Sequence, residues 1–287
     1  MLDDPVIITC AISGAIANRD QCPAIPYTPA EYAAEARRIV DEGGVHIHIH
    51  ARTPDGTPSY EIEDFQAIRD AIVGEIGDAA IINFSTGTVG VSVEKRAAYL
   101  RAVKPEVAAL NMGSMNYAKY SERRRDFVFS TVFTNPFDEI MALLAVMREV
   151  GIKPEHECFD TGHVSSIAPL IDMGLLEEPV HADFVMGVLG GVQPTVRNLA
   201  AMADNLPHGH WGVIGIGRVQ WLMIAAALTL GGSVRAGLED NLYLPDDTMA
   251  RSNGELIAKA RQMTEDVGRR PATVAEARAL LALPVAA

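Results

Sequence analysis

The stretch VHIHIHAR, Val45 to Arg52, puts three of the chain's eight histidines at alternate positions. Alternation at period two marks a strand, with Val45, Ile47, Ile49 and Ala51 on one face and His46, His48, His50 and Arg52 on the other. Imidazoles two residues apart on a strand stand roughly 6.5–7 Å apart along the chain. They can converge on one ion, because zinc–nitrogen bonds are about 2.0–2.1 Å. His48 and His50 therefore form a metal half-site, His46 one layer deeper reads as structural, and Arg52 falls at the rim. The competing reading is a polar layer bonded to backbone and carboxylates.

SVRAGLEDN, Ser233 to Asn241, is the second segment with chemistry in it. Ser233, Arg235, Gly237 and Glu239 share one face of a strand, and Asp240 falls just past its end. A third ligand from here makes a His2Glu set with one coordination position left for substrate or water. The alternative is an ion pair from Arg235 to Glu239 or Asp240 that only closes the fold. IINFSTGT puts Asn83 and Ser85 on one face and runs into the donors Thr86, Gly87 and Thr88. Such a strand end can hold a carboxylate or enolate oxygen, or it is ordinary turn chemistry. AALNMGS repeats the pattern more weakly, with Ala109 and Asn111 facing in. HECFDTGH offers Glu157 or Asp160 at another strand end, and His163 there reads as a core histidine. No cysteine sits in a nucleophile context and no GxSxG is present.

These segments need a scaffold that gathers strand ends. Short β-branched runs occur at Val6–Ala11, Val45–His50, Ala80–Ser85, Val107–Asn111, Val128–Val132, Glu155–Asp160, Asp183–Val188, Gly212–Gly215 and Ser233–Leu238. Helical patterns lie between most of them. The clearest follows Thr28, with Pro29 in the first turn, Glu31 completing a capping box, and an apolar stripe of Tyr32, Ala36, Ile39 and Val40. Others cover Ile62–Ile76, Pro136–Gly151, Thr195–Asn205 and Val219–Leu230. Nine runs with intervening helices predict an α/β fold, a (β/α)8 barrel in which one run supplies a hairpin or extra piece. A doubly wound sheet is the rival, but no GxGxxG follows the first strand. No Pro/Ser-rich linker divides the chain, so residues 1–287 read as one catalytic domain. Its tail, from about residue 248, forms two helices that pack on the barrel or on a neighbouring subunit.

The bulk composition narrows the partners. With 24 basic and 37 acidic residues the formal charge is −13, which argues against non-specific binding to nucleic acid or an anionic membrane. An anionic small substrate stays compatible with a locally positive site. Three cysteines without a CxxC make a disulfide framework improbable. The N-terminus shows no signal-peptide pattern, and the longest apolar run, Val219–Leu230, is too short to span a bilayer. A cytoplasmic location is expected.

Together these motifs resemble one family. The HxHxR strand, the STG strand end, the N-x-G-S-x-N turn and the R-x3-E-D strand end are similar to those of the beta-keto acid cleavage enzymes, the family of the 3-keto-5-aminohexanoate cleavage enzyme. PAIPYTPAEYA, FDTGH, the late S-N-x-E-L and A-x2-A-E-A-R extend the resemblance over nearly the whole chain. It implies a zinc-dependent (β/α)8 barrel, usually a tetramer, acting on a β-keto acid with acetyl-CoA as co-substrate to give acetoacetate and a new acyl-CoA. It implies zinc ligands His48, His50 and Glu239, and catalytic or substrate-binding roles for Ser85, Arg235 and Asp240. Thr86, Gly87, Asn111 and Glu157 are expected to meet substrate, with Glu155 close enough to Glu157 to compete for that place. Two departures stand out. Ala109 replaces a hydroxyl residue common in the family, and IANRDQC lacks an acidic residue placeable against an amino substrate. Two rivals remain. A metal hydrolase of the amidohydrolase type also pairs HxH with a late Asp, but there HxH usually belongs to the first strand. A non-catalytic small-acid binder would not need Asp240 beside Glu239.

Overall fold

The computed structural model describes residues 5–283. Eight strands close into a parallel barrel: β1 (Ile8–Ala11), β2 (His46–Ile49), β3 (Ile81–Phe84), β4 (Val107–Asn111), β7 (Lys153–Cys158), β8 (Val180–Met186), β9 (Gly209–Gly215) and β10 (Ser233–Ala236). They follow one another around the ring, and β1 pairs β10 to complete it, with Thr9 opposite Arg235. The two remaining strands, β5 (Met115–Ser121) and β6 (Asp126–Phe133), form an antiparallel hairpin outside the ring. The fifth run of the sequence, Val128–Val132, is thus the extra piece, and its partner β5 is too polar to signal itself. The fold is a (β/α)8 barrel.

Helices α1 (Pro29–Asp41), α2 (Ile62–Ile76), α3 (Val93–Val103), α4 (Phe137–Val150), α7 (Val196–Asp204) and α8 (Gln220–Leu230) cover it, with short α5 (Thr161–Ser165) and α6 (Ile167–Asp172) in one crossover. The α1 capping box forms as expected: Thr28 accepts from the Glu31 N–H and Glu31 accepts from the Thr28 N–H. Strand residues pointing outward, among them Ile8, Cys10, Ile47, Ile49, Phe84 and Val234, are buried against these helices in one core. Each such aliphatic side chain contributes about 1.5–3 kcal/mol. The tail forms α9 (Asn253–Asp266) and α10 (Val274–Leu280). Ala277, Leu281 and Leu283 close the N-terminal end of the barrel by packing on Ile7, Ile81 and Val107. The tail therefore packs on the barrel itself.

Several boundaries shift. β10 ends at Ala236 because Gly237 has φ 151, a conformation L side chains rarely adopt, and a Cβ there would lie 2.1 Å from the Ala11 carbonyl oxygen. The turn that follows aims Glu239 and Asp240 back over the barrel mouth. β7 begins two residues early and stops at Cys158, so Asp160 caps α5 by accepting from the Gly162 N–H instead of ending a strand. β8 begins at Val180, which brings His181 into it.

Candidate active site

Registers across the ring decide which side chains share the lumen. His48 lies opposite Ala11 and Asn83, Asn111 opposite Glu157, Glu157 opposite Asp183, and Arg235 opposite Thr9 and Ile214. Side chains alternate along each strand, so His46 and His48, Asn83, Asn111, Glu155 and Glu157, and Arg235 all face inward. His50, Ser85 and Glu239 continue these rows past the strand ends, at the C-terminal face where barrel enzymes do their chemistry.

The candidate metal ligands converge. His48 Nε2 is 3.7 Å from Glu239 Oε2, His50 Nε2 is 3.3 Å from Glu239 Oε1, and the imidazoles meet edge to face at 5.3 Å. One donor atom from each residue lies within 4.8 Å of the other two. Both His48 ring nitrogens and Glu239 Oε2 are buried without a hydrogen-bond partner. Such orphaned atoms are rare in a finished interior. Burial, then the nearby Arg235 charge, holds His48 well below the usual histidine range, so it is a neutral donor. Burial would raise Glu239, but His50, Arg235 and His48 outweigh it and keep the carboxylate ionised. Two imidazoles and a carboxylate suit Zn2+.

Arg235 organises the rest. It is 2% exposed. Its Nε donates to Asp240 Oδ2 at 2.9 Å and one terminal nitrogen to Asp240 Oδ1 at 3.0 Å, a bidentate pair. The other terminal nitrogen donates to Glu157 Oε1 at 3.1 Å, and Glu239 Oε1 lies 3.0 Å from the guanidinium. Fully ionised, three carboxylates against one guanidinium leave two excess negative charges, which one divalent cation neutralises. Burial pushes the Asp240 carboxyl up to about 6, with Arg235 opposing and Glu239 reinforcing the rise. Burial also raises Glu157, against the pull of Arg235. The Arg235–Asp240 and Arg235–Glu239 ion pairs are therefore present, beside a His48, His50 and Glu239 cluster that could hold a metal ion.

Ser85, Gly87 and Asn111 form the opposite wall. Ser85 Oγ accepts from the Gly87 N–H at 3.1 Å, and its hydroxyl proton stays available to donate. Asn111 Nδ2 is buried without a partner, and a Cβ at Gly87 would stand 3.1 Å from it. Thr86 turns its hydroxyl to the Ala109 carbonyl at 2.5 Å, tying β3 to β4. Glu157 reaches the site and Glu155 lies one layer lower, accepting from Asn83 Nδ2 at 2.9 Å. His46 sits in that lower layer, 3.1 Å from Thr9 Oγ1. His163 accepts from the Phe159 N–H and is a packing residue. Arg52 lies at the rim, 3% exposed, donating to the carbonyls of Ser13, Gly14, Ala17 and Gly56 and bracing the loops after β1 and β2.

Sequence reasoning missed the lower layer. Glu155, His181 and Asp183 place donor atoms within 4.8 Å of one another beneath the site. The alternation His181, Asp183, Val185 was there to be read had the strand been started three residues earlier. It also gave no role to the hairpin, which covers one side of the mouth. Met115 packs with Phe159, Val185 and Ile214. Tyr117 comes near enough to Glu239 and Asp240 that, after burial, their charges raise its phenol.

The sequence profile of the beta-keto acid cleavage enzymes matches residues 5–283. The 3-keto-5-aminohexanoate cleavage enzyme of Fusobacterium nucleatum is 35% identical over 281 residues, covering 98% of each chain. The 3-oxoadipate:acetyl-CoA acetyltransferase of Cupriavidus necator is 33% identical over 99% of this chain and 96% of its own. The solved structure of ObcA with oxaloacetate superposes with a TM-score of 0.76 over 92% of this chain and 68% of its own, at 21% identity, which is a likeness of fold. With the profile spanning every described residue and such relatives aligned almost end to end, the chain belongs to the beta-keto acid cleavage enzyme family.

Proposed function

We propose that the protein is a zinc-dependent acyltransferase that exchanges acyl groups between a β-keto acid and acetyl-CoA, releasing acetoacetate and a new acyl-CoA. The observation that carries this reading is the juxtaposition of His48, His50 and Glu239 with Asp240 held by Arg235. Relatives named as transferases between a keto acid and acetyl-CoA, among them the 3-oxoadipate:acetyl-CoA acetyltransferase, support the choice of reaction. His48, His50 and Glu239 would hold the ion, which when bound supplies Lewis-acid polarisation of the keto acid's oxygens.

The chain's own residues do the rest. Asn111 Nδ2 and the Ser85 hydroxyl donate to the substrate carboxylate or to the enolate oxygen as charge grows there. Asp240 Oδ takes the proton from the carbon between carbonyl and carboxylate, and its raised pKa makes it a stronger base than an exposed carboxylate. Arg235 stays charged throughout and fixes the direction of the Asp240 carboxylate. The carbanion attacks the acetyl carbonyl, a new C–C bond forms and CoA thiolate leaves. That thiolate adds to the original ketone. The bond between that carbonyl and the former α-carbon breaks, and the electron pair leaves on acetoacetate and is protonated from Asp240.

The test is turnover of a panel of β-keto acids with acetyl-CoA, with and without chelator. Chelator-sensitive acetoacetate that requires both substrates upholds the reading. Keto-acid consumption without any thioester would move it to a metal hydrolase.

A further inference from the structure

The hairpin is longer than the mouth it covers. Cross-strand partners share a face, so Met115 with Phe133, Tyr117 with Thr131 and Lys119 with Phe129 make one row, and the register then shifts between Lys119 and Tyr120, where Tyr120 pairs Phe127. The row begins at the site. The Tyr117 ring is 6.0 Å from Phe133 and 5.4 Å from Phe129, and Phe133 is 5.9 Å from Phe159. Beyond the register shift lies a second ring pair, Tyr120 and Phe127, 5.8 Å apart and about half exposed at 48% and 50%. From Tyr117 to Ser121 is about 13 Å of strand, and the tip beyond reads Glu122-Arg123-Arg124-Arg125.

The tip is electrostatically out of place. Residues 119–126 carry a net charge of +2 in a chain of −13. Several exposed arginines elsewhere find carboxylates, as Arg101 does with Glu149 and Arg270 with Glu276, while Arg148 donates to the Gly174 carbonyl. Among the described residues no ion pair is formed by Lys119 or by Arg123, Arg124 or Arg125. The one side-chain bond in this set goes from Arg124 to the Phe127 carbonyl. Three adjacent guanidiniums repel one another, and the flanking Glu122 and Asp126 offset only part of that charge.

We propose that this hairpin is the coenzyme-binding arm. Lys119 and Arg123–Arg125 take the phosphates of the acyl-CoA thioester, Tyr120 and Phe127 pack on its adenine, and the inner aromatic row guides the pantetheine to the mouth. The inference rests on the acyl-CoA reading above. Arginine forks match phosphate oxygens, aromatic faces accept a base, and an acidic protein that must draw in a polyanion needs one local positive patch.

The experiment uses the Arg123→Ala/Arg124→Ala/Arg125→Ala variant of the full chain. It measures CoA and 3′-dephospho-CoA binding by calorimetry at low and high salt, kinetics with acetyl-CoA and with S-acetyl-N-acetylcysteamine, and mass by light scattering. The expected result is a Kd for CoA and a KM for acetyl-CoA raised about tenfold or more, with the wild-type affinity falling as salt rises. The loss should be confined to the phosphate-bearing donor. Unchanged CoA affinity, or no CoA binding by wild type, overturns the proposal. So does a change of mass without a change in affinity, which would make the hairpin a contact between copies of the chain. Wild type that binds CoA through these arginines yet turns over no keto acid would leave the arm standing and sink the acyltransfer reading instead.

Discussion

Replacing Asp240 by Asn separates chemistry from folding. The two side chains are nearly isosteric, and the variant keeps one acceptor for Arg235. It loses the ionisable oxygen assigned to proton transfer, so turnover should fall about 10²–10⁴-fold. Stability should move the other way. In the metal-free protein the Asp240 pKa is about 6, against about 3.9 for an unfolded aspartate. A carboxyl whose folded pKa is raised contributes stability below its unfolded pKa and loses it as pH rises through the folded value. Two pKa units correspond to about 3 kcal/mol, lost by wild type between roughly pH 4 and pH 7. Asparagine has no such slope. Near pH 4 both side chains are neutral and the proteins should unfold alike. By pH 7 the variant should be the more stable by up to about 3 kcal/mol. Urea unfolding of chelator-treated protein at several pH values, beside turnover of the zinc-loaded protein, reads both. Turnover within about tenfold of wild type would remove Asp240 from proton transfer. A stability difference flat with pH would refute the buried, raised carboxyl.

Other residues carry separate tests. Glu239→Gln deletes the charged donor facing both imidazoles, and zinc affinity should fall by at least the roughly tenfold seen for lesser changes around metal sites, read by competition with a chromogenic chelator. Retained zinc at wild-type affinity would exclude Glu239 as a ligand. Asn253, fully buried, accepts from the Leu238 N–H at 2.9 Å and donates to the Ile12 carbonyl and to Glu35, bracketing β1 and the turn after β10. Asn253→Ala leaves two buried groups unmet, the Leu238 N–H and the Ile12 carbonyl, at about 1–3 kcal/mol each, while Glu35 keeps the Asn253 backbone N–H, and should lower Tm by several degrees. An unchanged melt would show the bracket idle. Gly237→Ala forces a Cβ onto the Ala11 carbonyl and should misplace Glu239 and Asp240 together, lowering zinc affinity and turnover in parallel. Loss of only one would contradict a shared turn.

How much of this was legible depended on whether a signal was local. The alternation in VHIHIHAR and in SVRAGLEDN fixes which side chains face inward, and period two needs no tertiary knowledge. The Thr28 capping box is equally local. Helix α3 was legible and passed over, since Ser92 caps it and Ala97, Leu100 and Val103 lie on its buried side. Strand β5 was not, because a hairpin half-exposed on both faces keeps Lys119 and Ser121 among its residues and shows no clean pattern. Ring closure was out of reach of sequence alone. That Thr9 meets Arg235 depends on β1 pairing with a strand from the far end of the chain, and the fate of Arg52 depends on loop carbonyls contributed by the segment after β1. The buried layer of Glu155, His181 and Asp183 depends likewise on β7 and β8 being neighbours.

The central claim concerns which bond forms and which breaks, so the most direct measurement follows carbon. Zinc-loaded protein is given an unlabelled β-keto acid that it consumes, together with acetyl-CoA labelled with ¹³C in both acetyl carbons, and the products are read by NMR. The account predicts label at the ketone carbon and methyl of acetoacetate, with none in the new acyl-CoA. Label that stays in acetyl-CoA or leaves as acetate while the keto acid is cleaved would contradict it.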